Sequence, residues 1–174
     1  MNAVQGAAMA GARHVIAVDP VEFKQEQAQI FGATHSSASL EEALALVGDV
    51  TWGTMADKVI LTMGVAQGEY IQPALAMTAK GGRVVQTAVA PFSVESVSMN
   101  LFELTMYEKQ LVGSIFGSAN PRRDIPRLLR LYQEGQLKLD ELITNTYPIE
   151  DINVGYQAMR DGTNIRGMLL YDHA

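Results

Sequence analysis

The chain of 174 residues contains no cysteine. That excludes a disulfide framework, a thiolate-held metal and a cysteine nucleophile. Aromatic residues are scarce at 7%, and basic residues are outnumbered, 13 Lys and Arg against 19 Asp and Glu, for a formal net charge of -6. An acidic chain (sequence pI about 5.0) without a basic cluster argues against nucleic acid and against anionic membrane surfaces as partners. No apolar run approaches the roughly 20 residues of a spanning helix. No basic segment followed by an apolar core opens the chain, so the reading is a soluble cytoplasmic protein without a signal peptide. What is present is ordinary globular composition, 48% hydrophobic, at a length suited to one domain with a small appendage.

Helical stretches alternate with short apolar runs. Asn2 to Gly11 is rich in alanine and small residues and reads as a helix stopped at Gly11. His14 to Val18 is almost wholly apolar, as suits a parallel strand covered on both faces, and it ends in Asp19. Pro20 suits the first position of the next helix, which runs to Phe31 and stops at Gly32. A short strand near Thr34-His35 precedes Ser39, an N-cap with Glu42 three residues on, and a helix from Leu40 to Val47. Asp57 to Thr62 is a strand, Gly64 and Gly68 flank a turn, Tyr70 to Ala79 is a helix, and Arg83 to Thr87 is a strand. A short helix at Leu101 to Tyr107 leads to a strand from Gln110 to Phe116, closed by Gly117. Beyond it lie an amphipathic helix carrying Ile125, Leu128, Leu129 and Tyr132, an extended run Leu142 to Tyr147, a helix opened by Pro148 and Asp151, and a terminal strand Ile165 to Tyr171. This alternation predicts an α/β fold of parallel βαβ units.

Asp19 is the most informative position. An acid at the carboxyl end of the second strand of a dinucleotide fold hydrogen-bonds the adenosine ribose and repels a 2'-phosphate, which favours NAD over NADP. An acid before proline is equally a helix start, and the two roles are compatible. The glycine-rich turn expected about 20 residues earlier is not in the sequence, which begins eighteen residues before Asp19. Gly81-Gly82-Arg83 reads as a structural turn. Gly113 and Gly117 bracket the strand around Ile115, where they either admit a ligand or relieve crowding. Arg166 suits a pyrophosphate clamp or a solvated surface. The histidines His14, His35 and His173 stand singly and read as surface or strand-edge residues, without metal-ligand spacing. Ser36-Ser37 and Ser93 to Ser98 form no nucleophile elbow, and the nine methionines read as core filler.

In order along the chain, Asn2-Ala3-Val4-Gln5-Gly6-Ala7, Gly11 through Asp19, Phe31-Gly32-Ala33-Thr34, Lys80 through Val85, Val112 through Gly117 and Asn164-Ile165-Arg166-Gly167 resemble the zinc-dependent medium-chain alcohol dehydrogenases. Within that family the chain is most similar to the actinobacterial nitrosoaniline-dependent type. The resemblance covers essentially the full length. It implies a Rossmann-like, doubly wound parallel sheet without its first strand and glycine-rich turn over residues 1–117, and a C-terminal segment of the catalytic domain over 118–174. It also implies NAD as cofactor. Asp19 would meet the adenosine ribose, with Lys24 nearby; Thr62, Met63 and Gly64 would line the ribose side; Thr87 and Val89 would flank the nicotinamide. Backbone groups of Ser114 and Phe116 would hold its carboxamide, and Arg166 would meet the pyrophosphate. The strand 110–116 would lie at a sheet edge and pair with its copy in a homo-oligomer.

The same resemblance implies that the catalytic zinc, which polarises the alcohol oxygen before hydride leaves, is held by cysteine and histidine ligands that these residues do not include. No catalytic or metal-binding residue is assigned, and the alcohol or aldehyde is not specified. The leading expectation is part of an NAD-dependent alcohol dehydrogenase, inactive alone. A non-catalytic nucleotide-binding or regulatory module pairing with a full-length relative is the second, and a methyltransferase, whose fold also carries an acid after its second strand, is the third.

In the usual strand order the first strand is central. Its absence leaves backbone groups unpaired at roughly 1–3 kcal/mol each, against a total stability of about 5–15 kcal/mol. The purified chain is therefore expected to melt broadly and to bind NAD more weakly than micromolar. Calorimetric titration checks this, and a micromolar complex with a sharp melt overturns it.

Overall fold

The computed structural model describes residues 1–171; His173 lies outside them. Every strand pairing among these residues is parallel. The strands form three small sheets, ordered β1-β2, β3-β4-β5 and β6-β7. The strands are β1 Ile16–Val18, β2 His35–Ser37, β3 Ala56–Leu61, β4 Thr78–Gln86, β5 Gln110–Gly113, β6 Ile143–Pro148 and β7 Arg166–Leu170. The helices are α1 Asn2–Met9, α2 Glu22–Ile30, α3 Leu40–Val50, α4 Ile71–Ala76, α5 Leu101–Met106, α6 Pro121–Gln133 and α7 Ile152–Asp161. No helix among the described residues is long and apolar enough to cross a membrane.

Contacts divide the chain into two units. One comprises residues 1–38 together with the segment from Arg122 onward, and the other residues 39–121.

In the first unit α1 approaches the turn after α2 closely. A Cβ added at Gly32 would come within 2.7 Å of the Ala8 Cβ, so Gly32 has no room for a side chain. Gln5 is polar yet buried. Its amide accepts from the Lys138 backbone N–H at 3.0 Å and donates to the Lys138 carbonyl at 3.1 Å. This reciprocal pair ties α1 to the chain following α6 and satisfies an amide that burial would otherwise penalise. Val15, Ala28 and Phe31 are buried around β1 and α2. Farther on, Tyr147 of β6 lies against Gly155 of α7 and Gly167 of β7, and a Cβ at either would approach the ring to 3.2 and 2.9 Å.

In the second unit Val84 sits at the centre of the three-stranded sheet, paired with Val59 on one side and Leu111 on the other. It packs with Leu61, Ile71, Ala74 and Leu75 in one buried cluster. Helix starts follow capping chemistry. Ser39 Oγ accepts from the Glu42 N–H at 3.2 Å, as the sequence predicts, and Asn100 Oδ1 accepts from Phe102 and Glu103.

Several boundaries differ from the sequence-based expectation: the strand expected from His14 starts at Ile16, the helix expected to end at Val47 runs to Val50, and the strand expected from Arg83 starts at Thr78. Three further differences have a visible physical cause. Pro20 does not open α2. Asp19 Oδ1 accepts from the Val21 N–H at 3.0 Å, so Asp19 to Val21 forms a side-chain-closed turn and the helix begins at Glu22. The helix expected over Tyr70 to Ala79 ends at Ala76, because the Met77 carbonyl is taken by the Ala56 N–H at 2.9 Å and the chain enters β4 at Thr78. The strand expected over 110–116 stops at Gly113; Phe116, Gly117 and Ser118 all have positive φ (48°, 66° and 55°), which a strand cannot accommodate.

Within β4, Ala56 pairs with Thr78 but Lys58 pairs with Arg83, so the chain through Lys80–Gly82 leaves the ladder. A Cβ at Gly82 would meet Thr78 Cγ2 at 2.6 Å, the Ala79 carbonyl at 2.9 Å and the Asp57 carbonyl at 3.0 Å. Two of these are backbone atoms that cannot yield. Gly82→Ala is therefore expected to destabilise the protein by about 1–3 kcal/mol through overpacking, measured as a lowered midpoint in urea. An unchanged midpoint would show that this turn is loose.

Candidate functional site

The carboxyl ends of three adjacent parallel strands lie together in the second unit. β3 ends at Leu61, β4 at Gln86 and β5 at Gly113. The residues that follow are tied to one another by backbone bonds. The Leu61 carbonyl accepts from the Thr87 N–H at 3.1 Å, the Ala88 N–H at 3.2 Å and Thr87 Oγ1 at 2.8 Å. The Ala66 N–H donates to the Val89 carbonyl at 3.1 Å, and the Ser114 N–H to the Gln86 carbonyl at 2.9 Å. Thr62 to Gly64, Thr87 to Val89, and Ser114 are thus brought to one sheet edge, as crevice-binding in open α/β sheets requires.

The side chains at this edge differ in what they offer. Thr62, Val89 and Phe116 are exposed, Phe116 almost fully. Met63 instead packs against the cluster of Leu61, Ile71 and Leu75, so it turns its side chain inward and leaves backbone outward. Ser114 Oγ lies 3.0 Å from Ser118 Oγ, closing the turn that carries Phe116.

Asp19, Lys24 and Arg166 belong to the first unit. Asp19 follows β1 at its carboxyl end, where its N–H donates to the Ser37 carbonyl at 3.1 Å. The Met1 amine at the start of α1 is held below its ordinary pKa, first by burial; the Asp19 charge opposes this and the Lys24 charge reinforces it. Both charges are thus felt at the amino end of α1, where helix N–H groups favour an anion. The Lys24 side chain also runs along Gly162, the left-handed cap of α7; a Cβ there would stand 3.5 Å from Lys24 Nζ. Arg166 is the exposed first residue of β7, paired with Ile143.

Sequence reasoning passed over two buried polar residues of the second unit, Gln86 at this edge and Lys109 at the opposite, amino end of β5. Gln86 donates from Nε2 to the Ala88 carbonyl at 2.8 Å while its buried Oε1 has no protein partner. Lys109 is buried, donates to the Leu75 carbonyl at 2.7 Å and lies 3.6 Å from Glu103. A lone Gln in an apolar strand and a Lys beside Glu108 carry no local signal of either role.

The fit to a dinucleotide and to zinc differs. In the first unit an acid stands at the carboxyl end of β1, and in the second the buried Gln86 Oε1 behind the loop 87–89 has no protein partner; each by itself suits a polar group. For zinc the donors do not fit. A catalytic site takes three protein ligands; the sequence has no cysteine, and the described residues gather no group of three His, Asp or Glu.

Residues 1–134 match the family described as zinc-binding dehydrogenase. The chain is 51% identical over 171 residues to the NDMA-dependent alcohol dehydrogenase of Amycolatopsis methanolica, covering 98% of this chain and 46% of that protein. It is 48% identical over 171 residues to alcohol dehydrogenase B of Mycobacterium tuberculosis, with the same coverage of each. Among solved structures, the benzyl alcohol dehydrogenase of Acinetobacter calcoaceticus superimposes with a TM-score of 0.86 at 26% identity, over 96% of this chain and 45% of that one. The chain thus spans about half the length of the curated relatives it matches.

Thr87→Val keeps the shape of the side chain and removes one of three donors to the Leu61 carbonyl. It is expected to lower stability by about 1 kcal/mol, read from urea unfolding. A variant as stable as the parent would show that the two amides alone hold this junction.

Proposed function

The chain belongs to the zinc-binding dehydrogenase family, and from that premise we propose that it forms the nucleotide-binding part of an NAD-dependent alcohol dehydrogenase, with residues 118–174 as a C-terminal segment of the catalytic domain. Its relatives are alcohol dehydrogenases. The substrate class of the whole protein is then an alcohol or aldehyde, and its compartment the cytoplasm. NAD, when bound, supplies the hydride acceptor.

The observation that carries this reading is Asp19 at the carboxyl end of the parallel strand β1, where its N–H donates to the Ser37 carbonyl of β2. Asp19 Oδ1 is engaged by the Val21 N–H, which orients the carboxylate and leaves Oδ2 to accept from a ribose hydroxyl. The same negative charge disfavours a 2'-phosphate. Lys24 balances that charge. Thr62, Met63 and Gly64 line the ribose side, with Met63 contributing backbone. Thr87 and Val89 flank the nicotinamide face, with the exposed Val89 excluding water from it. Backbone groups of Ser114 and Phe116 orient the carboxamide, and Arg166 pairs with the pyrophosphate. No step through zinc is assigned to these residues, since their donors do not fit it. β5, over Gln110–Gly113, is the edge through which two copies of the whole protein pair.

Saturation-transfer NMR detects weak complexes and so tests the reading on this chain. NAD is expected to show adenosine and ribose signals that NADP shows more weakly, and Asp19→Ala is expected to erase the difference. Equal signals from both dinucleotides on the parent chain would sink the assignment of Asp19.

A further inference from the structure

The histidines that stand apart in the sequence do not stand apart in space. His14 immediately precedes Val15 at the entry to β1, and His35 is the first residue of β2, in register with Ile16. Their rings lie with centroids 5.6 Å apart and planes at 56°. Both residues are half-buried. We propose that His14 and His35 form a two-histidine site for a divalent transition-metal ion at the amino end of the β1–β2 pair, with water completing the coordination.

The hydrogen bonds around Thr34 prepare His35 for this. Thr34 Oγ1 accepts from the Val15 N–H at 2.9 Å and lies 3.2 Å from the Val15 carbonyl and 2.8 Å from His35 Nδ1. The hydroxyl can accept from a proton on Nδ1. In that tautomer the lone pair is on Nε2, where a metal ion binds, and the Thr34 contact supports the ring from the other nitrogen. The Thr34 and His35 N–H groups both donate to the Val15 carbonyl, at 2.8 and 3.2 Å, so the backbone carrying both rings is fixed.

The spacing is also right. With a metal–nitrogen bond of about 2.0–2.1 Å, an imidazole centroid lies about 3.2 Å from the ion. Two such rings subtending about 110–120° have centroids about 5.2–5.5 Å apart, close to the 5.6 Å found. Imidazole nitrogen selects copper, nickel and zinc over magnesium and calcium, and Cu2+ binds most strongly in that series. The site lies at the end of the strand pair opposite Asp19, so it stands or falls independently of the dinucleotide reading. An ion there would clip β1 to β2.

Titration calorimetry of the full chain with Cu2+, and separately Ni2+, in a non-coordinating buffer tests the proposal. One ion per chain is expected. His14→Gln and His35→Gln should each weaken binding at least about 10-fold, and Thr34→Val, which removes the supporting hydroxyl, about 10–100-fold. His173→Gln should bind as the parent does. The Cu2+ spectrum by electron paramagnetic resonance should show two nitrogen ligands, reduced to one in either histidine variant. Absence of uptake, parental affinity in either single variant, or an affinity unchanged in denaturing urea would overturn the site, the last by showing that the ion binds histidines of an unfolded chain.

Discussion

The carboxyl edge of the three-stranded sheet depends on the Leu61 carbonyl. In a regular strand successive N–H groups point to opposite sides. Here the consecutive N–H groups of Thr87 and Ala88 both point at this one oxygen, joined by the Thr87 hydroxyl. The β4 ladder cannot continue past such a junction, so the chain peels away at that point and exposes the loop 87–89. The second bond, from Ala66 to Val89, then returns the loop after β3 to the same place. Val84, fully buried two residues before the strand end, fixes the height of the junction against α4. A sheet edge able to receive a ligand thus follows from a core valine, a shared acceptor and a threonine, none of which need contact the ligand through its side chain.

How much of this could be read in the sequence depended on whether the signal was local. The Ser39 cap was legible, because a cap is specified by residues three apart and the hydroxyl bonds Glu42 as expected. Parallel pairing was legible from strands alternating with helices. The end of α4 was not, because it is set by Ala56, some twenty residues away, taking the Met77 carbonyl. The early end of β5 escaped notice because Phe116 and Ser118 adopt positive φ without being glycine, which no propensity foretells. Buried polar residues were the least legible. Gln5 looks like one more surface residue of an alanine-rich helix until Lys138 offers it a backbone pair.

Asp19 shows why a local and a functional reading of one residue need not compete. A carboxylate has two oxygens. The turn to Val21 uses Oδ1 and fixes the plane of the group. The turn also displaces Pro20 from the helix and delays α2 to Glu22. The carboxylate therefore sits on rigid backbone at the strand end, held by the Ser37 carbonyl through its own N–H, in place of riding on the mobile first turn of a helix. Preorganisation of this kind is what the ribose-binding role proposed for Asp19 needs, and it comes from the same bond that an N-cap reading would have invoked.

The β1–β2 pair raises the complementary problem. Two strands of three residues each form a sheet that is marginal by itself, and among the described residues neither β1 nor β3 has a strand partner on its second edge. Something other than the ladder must hold β1 in place. At its amino end the Val15 carbonyl and N–H are both engaged by Thr34, with a further bond from the His35 N–H. At its carboxyl end Asp19 bonds Ser37. Behind it Ala28 and Phe31 are almost fully buried, and Gly32 lets Ala8 approach. The strand is therefore pinned at both ends and covered on one face, a design in which side-chain and loop bonds do the work that a neighbouring strand does in a wider sheet. Pinning of this kind preserves the direction of β1, and with it the direction of the acid at its tip, whatever occupies the open edge.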